Sequence, residues 1–374
     1  EAAESREADT PTETMASGPV RKIRLSCELP ANQSQVAESV DNLLEGLRDI
    51  AALELKQRPD GADGHLVVVL TTQASDSELK DALAFYCAPE NIAIGEGIDG
   101  LLGLIVRLFV EPGQPVVTSL GAYPTFNYHV AGFGGRLVTA PYRDDREDIA
   151  ALLDAVKREN APLVYLANPD NPMGTWWEGS ELQRCIEALP ETTLLVLDEA
   201  YTEMAPASTR PPLDVARPNV LRMRTFSKAY GLAGMLCGYA IGEVETIRAF
   251  DKVRNHFGMS RMTQVAAAAA IQDQDWLGQV LARIAAGRRC IEDIATANGL
   301  AALPSATNFV TIDCGADGAY AMKVMQSLIA RDVFVRKPMA PGLDRCIRVS
   351  TGPEAELAIF AEELPGALAA ARGN

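Results

Sequence analysis

Histidine is scarce in this chain. His65, His129 and His256 are the full set, and none stands at ligand spacing from another, which argues against a metal hydrolase and leaves each as a packing or surface residue. Positive charge is also short, with 34 Lys and Arg against 50 Asp and Glu and a formal net charge of −16. That balance opposes counterion-release binding to nucleic acid and attraction to anionic lipid, so neither nucleic acid nor membrane is expected as a partner. A few arginines inside a cleft can still set a local field against the global charge. No apolar run approaches the ~20 residues of a membrane-spanning helix. The opening 1–22 is polar and acidic without the apolar core of a signal peptide and reads as a loose arm. No CxxC pair occurs, and the seven cysteines are odd in number, which suggests reduced thiols and a cytoplasmic location. Internal repeats are absent, as are low-complexity tracts beyond alanine runs.

What is present is enough chain for two domains. At 374 residues, with 48% hydrophobic and 22% charged residues, the protein exceeds what one core usually organises. The β-branched run Leu66–Thr71 is followed by a helical pattern over Asp76–Tyr86, and strand candidates recur at Ile92–Ile94, Pro115–Ser119 and Arg136–Val138. Leu163–Ala167 and Thr193–Leu197 are continuous apolar runs of the kind found in parallel strands covered on both faces. Between roughly Leu55 and Val265 the alternation predicts an α/β fold, a large doubly wound and mostly parallel sheet whose ligands collect at the carboxyl ends of its strands. After Met262 come Ala-rich helices (Val265–Ile271, Trp276–Asn298) and strands at Asn308–Ile312, Val333–Val335 and Ile347–Val349, read as a smaller α+β domain. The expected division is an arm over 1–23, a small domain from 24–50 and 266–374, and a large domain over 51–265.

Four motifs carry chemistry. Thr225-Phe226-Ser227-Lys228-Ala229-Tyr230-Gly231 places a lysine after a strand among small and apolar residues, where burial and neighbouring cations lower an amine's pKa and favour imine formation. By itself it also fits a surface lysine between turn glycines. Leu197-Asp198-Glu199-Ala200-Tyr201 brings a carboxylate and a phenol to a strand end, which suits either a cofactor ring with a protonated pyridine nitrogen or a helix cap. Asn168-Pro169-Asp170-Asn171-Pro172-Met173-Gly174-Thr175 fixes an irregular loop with free amides, or an ordinary turn. Gly95-Glu96-Gly97-Ile98-Asp99-Gly100 feeds a helix N-terminus, where backbone N–H groups suit a phosphate, although the dinucleotide fingerprint is not met.

Taken together, from about Leu25 to Gly352, these motifs resemble the fold-type I pyridoxal 5′-phosphate (PLP) enzymes of the class I/II aminotransferase family, in its histidinol-phosphate aminotransferase-like branch. The resemblance implies a PLP-dependent transferase fold and an aminotransferase that moves an amino group between an amino acid or amino-acid-like amine and a 2-oxo acid by a ping-pong mechanism. It makes Lys228 the Schiff-base lysine and proton shuttle, Asp198 the pyridinium partner, and Tyr201 and Asn171 the phenolate ligands. Thr225, Ser227 and the backbone of Gly97, Ile98 and Asp99 would hold the phosphate, and Tyr123 would stack on the ring. Arg348 would pair with the substrate carboxylate, Arg336 would be a second anion-binding arginine, and Asn308 and Glu28 would lie beside the substrate. A homodimer with shared active sites is implied.

The pattern breaks in places. Leu236 stands where the family has an arginine for the cofactor phosphate, and Arg58 stands where a tyrosine reaches that phosphate from the neighbouring subunit, so Arg58 is expected to supply the missing charge. Cys27, Leu29 and Ala31 alter the N-terminal substrate motif while Glu28 and Pro30 remain. Ile98 and Gly100 occupy positions where Ser and Glu are common. Cofactor is thus better defined than substrate. A lyase, decarboxylase, racemase or cyclase in specialised biosynthesis is the alternative; a non-catalytic sensor domain is opposed by the acidic charge and the lack of a helix-turn-helix segment before Leu25.

Overall fold

The structure is a computed structural model that describes strands 21–28, 52–56 and 65–72, Leu83, and residues 87–373 apart from 256–257. The chain divides into two units, 1–75 and 76–374. In the first, β1 (Arg21–Glu28), β2 (Ala52–Lys56) and β3 (His65–Thr72) form an antiparallel sheet in the order β1-β3-β2. This corrects two expectations. The run Leu66–Thr71 belongs to this sheet and not to the doubly wound one, and residues 21–23 of the expected arm lie in β1, paired from Arg21↔Thr72 onward. A β-branched apolar run announces a strand, but its partners are set by chain return and not by its own pattern. The helical pattern over 76–86 lies outside the described residues except for Leu83.

The second unit holds β4 (Ile92–Glu96), β5 (Pro115–Ser119), β6 (Arg136–Ala140), the short hairpin β7 (Tyr142–Arg143) and β8 (Arg146–Glu147), β9 (Leu163–Ala167), β10 (Leu194–Asp198), β11 (Val220–Thr225) and β12 (Cys237–Ile241). Seven of these form one sheet in the order β4-β12-β11-β10-β9-β5-β6. Pairing is parallel from β11 through β6, and β12 runs antiparallel to both β11 and β4. Every residue of β9, β10 and β11 is buried, because helices cover both faces. Successive side chains alternate between the two cores: Tyr165 and Val196 pack with Leu101, Ile105 and Phe126, while Val164, Leu166 and Leu197 pack with Leu152, Val156 and Leu182. Since β5, β9, β10 and β11 are parallel, their carboxyl ends lie on one edge of the sheet, and the segments after Ser119, Ala167, Asp198 and Thr225 emerge there together.

The smaller sheet is antiparallel, β13 (Ala301–Ala302), β14 (Phe309–Asp313) and β15 (Cys346–Ser350). Helices Gln274–Ala297, Gly318–Ile329 and Glu354–Arg372 contribute to its core around Ile291, Val310, Val324, Ile347, Phe360 and Leu364. Asp273 and Asp317 start the first two of these helices by accepting the N–H groups of Trp276 and Tyr320. Two readings of this part change. Val333–Val335 is not a strand; only Arg336 bridges to Arg348, and Pro338, which has no N–H to donate, soon diverts the chain. The expected boundary at 265/266 falls inside helix Arg261–Gln272, whose Ala267, Ala268 and Ile271 pack on Phe226, Cys237 and Tyr239 of the large-sheet side. Six cysteines are free among the described residues. No described helix is long and apolar enough to cross a membrane.

Candidate active site

The site is built from the shared carboxyl edge of the large sheet. Asp198 is the last residue of β10 and is 6% exposed. Its Oδ1 accepts the Ala200 N–H at 2.9 Å, and its Oδ2 accepts the Tyr165 hydroxyl at 2.6 Å. Burial pushes the Asp198 carboxyl up from its usual range, while Tyr165, Ala200 and the positive charge of Lys228 pull it back. Lys228 follows β11 in a turn closed by the Gly231 N–H to the Lys228 carbonyl, and its Nζ sits 5.4 Å from the centre of the Tyr201 ring. Its pKa is lowered, first by burial and then by Arg348 and Arg336, against the opposing pull of Asp198. The surface lysine reading is therefore set aside: this amine is half-buried and electrostatically tuned.

Tyr201 is buried, and Phe309 meets its ring edge-on at 5.6 Å. Burial raises the Tyr201 phenol well above its ordinary pKa, keeping it a donor. In the Asn168–Thr175 loop the two asparagines divide the work. Asn168 accepts the Trp177 N–H at 2.7 Å and donates to the carbonyls of Trp177 and Thr209, so it holds the loop. Asn171 Oδ1 accepts from Arg348 Nη1, which leaves the Asn171 NH2 as a donor. Arg348 stands on β15 with its guanidinium 4.5 Å from the centre of the Phe309 ring, and its buried Nε has no partner among the described residues. Arg336 joins it through reciprocal backbone bonds of 3.0 and 2.7 Å. Lys228, Arg348 and Arg336 thus make a positive centre inside an acidic protein, as a site for anions requires.

The glycine loop differs from the expectation in extent: the helix begins at Gly97 and not at Leu101, so the loop is shorter and Gly97, Ile98 and Asp99 are its first turn. Gly97 has a φ of +71°, a conformation open to glycine at little cost. A Cβ at Gly238 would lie 2.7 Å from the Ile98 nitrogen and 2.8 Å from the Gly97 carbonyl carbon, so the first turn seats directly on β12. Nearby, Thr225 Oγ1 accepts the Ser227 N–H at 3.0 Å and lies 2.9 Å from Ser227 Oγ. Leu236 is 61% exposed and left-handed, and its carbonyl carbon would lie 3.9 Å from a Cβ at Gly97. Tyr123 stands immediately before helix Pro124–Gly132, half-buried on the large core. Asn308 immediately precedes β14, with its carbonyl accepting from Thr351. Arg58 and the side chain of Glu28 lie outside the described residues.

Sequence reasoning missed Tyr165, Phe309 and a buried ion cluster in which Glu199 accepts from Arg222 and Arg224, each Nε at 3.0 Å. It also gave no role to Asp170 within that loop or to Glu147. Asp170 accepts the Tyr142 hydroxyl at 2.8 Å with its pKa raised to about 7, first by burial, and Glu147 takes the Ser119 hydroxyl at 2.5 Å and the Ala167 N–H at 2.9 Å. For Tyr165, Arg222 and Arg224 the available signal was a polar residue inside an otherwise apolar strand.

The seven-stranded, mostly parallel sheet with Asp198, Lys228, Tyr201 and Arg348 gathered at its carboxyl edge is the fold of the type I PLP-dependent transferases. The model of the family described as aminotransferase class I and II matches residues 39–364, and the chain belongs to that family. A Pseudomonas aeruginosa protein named histidinol-phosphate aminotransferase 2 is 35% identical over 349 residues, 91% of this chain and 89% of its own. The crystal structure of histidinol-phosphate aminotransferase from Sinorhizobium meliloti, in complex with pyridoxal-5′-phosphate, is 58% identical with a TM-score of 0.78, covering 80% of this chain and 83% of that one. Aspartate aminotransferase from Thermus thermophilus with maleate shares the fold, at 21% identity and a TM-score of 0.69 over 78% and 81% of the two chains.

Proposed function

We propose that this PLP-dependent aminotransferase works through Lys228, with the other residues in the following roles. When bound, PLP supplies an aldehyde for the amine and a ring that takes up the electrons of a Cα carbanion. Asp198 holds negative charge against the ring nitrogen. Tyr201 and the Asn171 NH2 would hold the phenolate oxygen, and Tyr123 would lie against the ring. Thr225, Ser227 and the N–H groups of Gly97–Asp99 hold the phosphate. The lowered pKa of Lys228 raises the share of free amine near neutral pH, so that it takes the Cα proton and returns it at the cofactor carbon. Arg348 fixes the anionic group of the substrate, with Arg336 behind it and Asn308 beside it. The observation that carries this reading is the Arg348 guanidinium, tied to Asn171 on one side and buried at Nε with no partner among the described residues, in the same positive centre as Lys228.

The names of the relatives point to histidinol phosphate as the amine to test first, with a 2-oxo acid as its counterpart. We propose further a homodimer with shared sites in the cytoplasm, the free cysteines agreeing with a reducing compartment. The test is the visible spectrum of the purified holoenzyme as histidinol phosphate and single amino acids are added, with Lys228→Ala as control. The expected result is loss of the cofactor band on amine addition and its return with a 2-oxo acid. A band that persists while carbon dioxide or ammonia is released would overturn amino transfer.

A further inference from the structure

Asp198 must stay ionised in a place where burial works against it, and one neighbour meets that need without adding charge. Tyr165 lies two residues before the end of β9, in parallel register with Val196, so its side chain rises on the same face of the sheet as the approach to Asp198. It is fully buried, and its hydroxyl donates to Asp198 Oδ2 at 2.6 Å, the length of a charge-assisted O–H···O⁻ bond. The donor is fixed as well as close. Phe126 stacks on the Tyr165 ring with centroids 4.7 Å apart and planes 17° apart, and Phe126 is also fully buried. Phe126 stands in the first turn of helix Pro124–Gly132, three residues after Tyr123.

We propose that Tyr165 is a positioning residue that holds Asp198 as a carboxylate in fixed orientation, and that Phe126 ties this setting to the turn that presents Tyr123. The proposal rests on the reading of Asp198 as the anion facing the cofactor ring. A phenol does this with no second charge: its own ionisation is suppressed by burial and by the adjacent carboxylate, so it remains a donor throughout the working pH range. A cation in the same place would compete with the ring nitrogen for the carboxylate. Without the hydroxyl, Asp198 Oδ2 loses its buried donor and becomes more basic. Asp198 would then compete more strongly for the proton that bound PLP would carry on its ring nitrogen, and less positive charge would stand near Lys228.

The experiment compares Tyr165→Phe, Asp198→Asn and the double variant, together with Phe126→Leu, in two readouts besides turnover: PLP affinity of the apoenzyme, and the pH titration of the visible band of the holoenzyme. Tyr165→Phe is expected to weaken PLP about tenfold and to raise the pH midpoint of the band by about one unit, the worth of one hydrogen bond to a charged group. In the Asp198→Asn background the same substitution should change neither quantity. Phe126→Leu should move both in the same direction by less, and it decides the question should Tyr165→Phe fail to fold. If Tyr165→Phe shifts only the unfolding temperature, or shifts the band equally with and without Asp198, the positioning role is overturned. If Asp198→Asn itself leaves affinity and band unchanged, it is the assignment of Asp198 that fails.

Discussion

Glu203, two residues after Tyr201, has both carboxylate oxygens in the interior, with no hydrogen-bond partner from another described residue. Burial raises its pKa from 4.5 to about 7, against the pull of Arg224. The folded state therefore holds a proton that the unfolded state releases between those values, so this group's contribution to stability is greatest below pH 4.5 and is lost as pH climbs through 7. Glu203→Gln keeps the shape and removes the titration. Its unfolding temperature should match the parent at pH 4.5 and exceed it at pH 8, by up to about 3 kcal/mol in stability. Equal shifts at both pH values would refute the linkage. Glu199 behaves in the opposite sense: burial resists its ionisation, yet Arg224 and Arg222 hold its pKa below the usual value, so its contribution fades only as pH falls towards acid. Residues of this kind were not legible in sequence. Glu199 and Glu203 sit in one short acidic stretch, and which of the two meets arginines depends on strand β11 lying beside β10.

At the scale of elements, the proposed phosphate seat rests on a contact between a helix and a strand. The first turn of helix Gly97–Phe109 rests on Gly238 of β12 with no room for a methyl group, and the atoms in the way are backbone, which cannot rotate aside. Gly238→Ala should therefore displace the cradle and lower PLP affinity more than tenfold, read by fluorescence titration of the apoenzyme. An unchanged affinity would show that the first turn does not hold the phosphate. The elements themselves were largely written in the sequence, because fully buried parallel strands must be continuously apolar and β9 and β10 are. The pairing of β3 was not, since a β-branched run fits parallel and antiparallel neighbours equally. Val333–Val335 failed as a strand for a related reason: the ladder beside β15 is one residue long.

For the whole molecule, the positive centre around Lys228, Arg348 and Arg336 lies within a chain of net charge −16. Attraction of an anionic cofactor must then come from the local cluster, and raising ionic strength should slow PLP association only modestly compared with Arg348→Ala. The proposed homodimer predicts sedimentation at twice the chain mass of 40.1 kDa in the holoenzyme, and a monomer that still binds PLP would remove the shared-site reading.

The sequence by itself determined the fold class and the cofactor, and it singled out Lys228, Asp198, Tyr201 and Asn171 as the residues proposed to hold that cofactor. Their chemistry is tied to short motifs at strand ends, and local order along the chain is enough to recognise them. Only the tertiary structure decided that Tyr165 donates to Asp198, that Asn171 accepts from Arg348 and that Gly238 lies against the first turn of helix Gly97–Phe109. Each of these joins residues on different strands or loops, 33, 177 and about 140 positions apart. Such contacts are fixed by sheet order and packing, which no local pattern encodes.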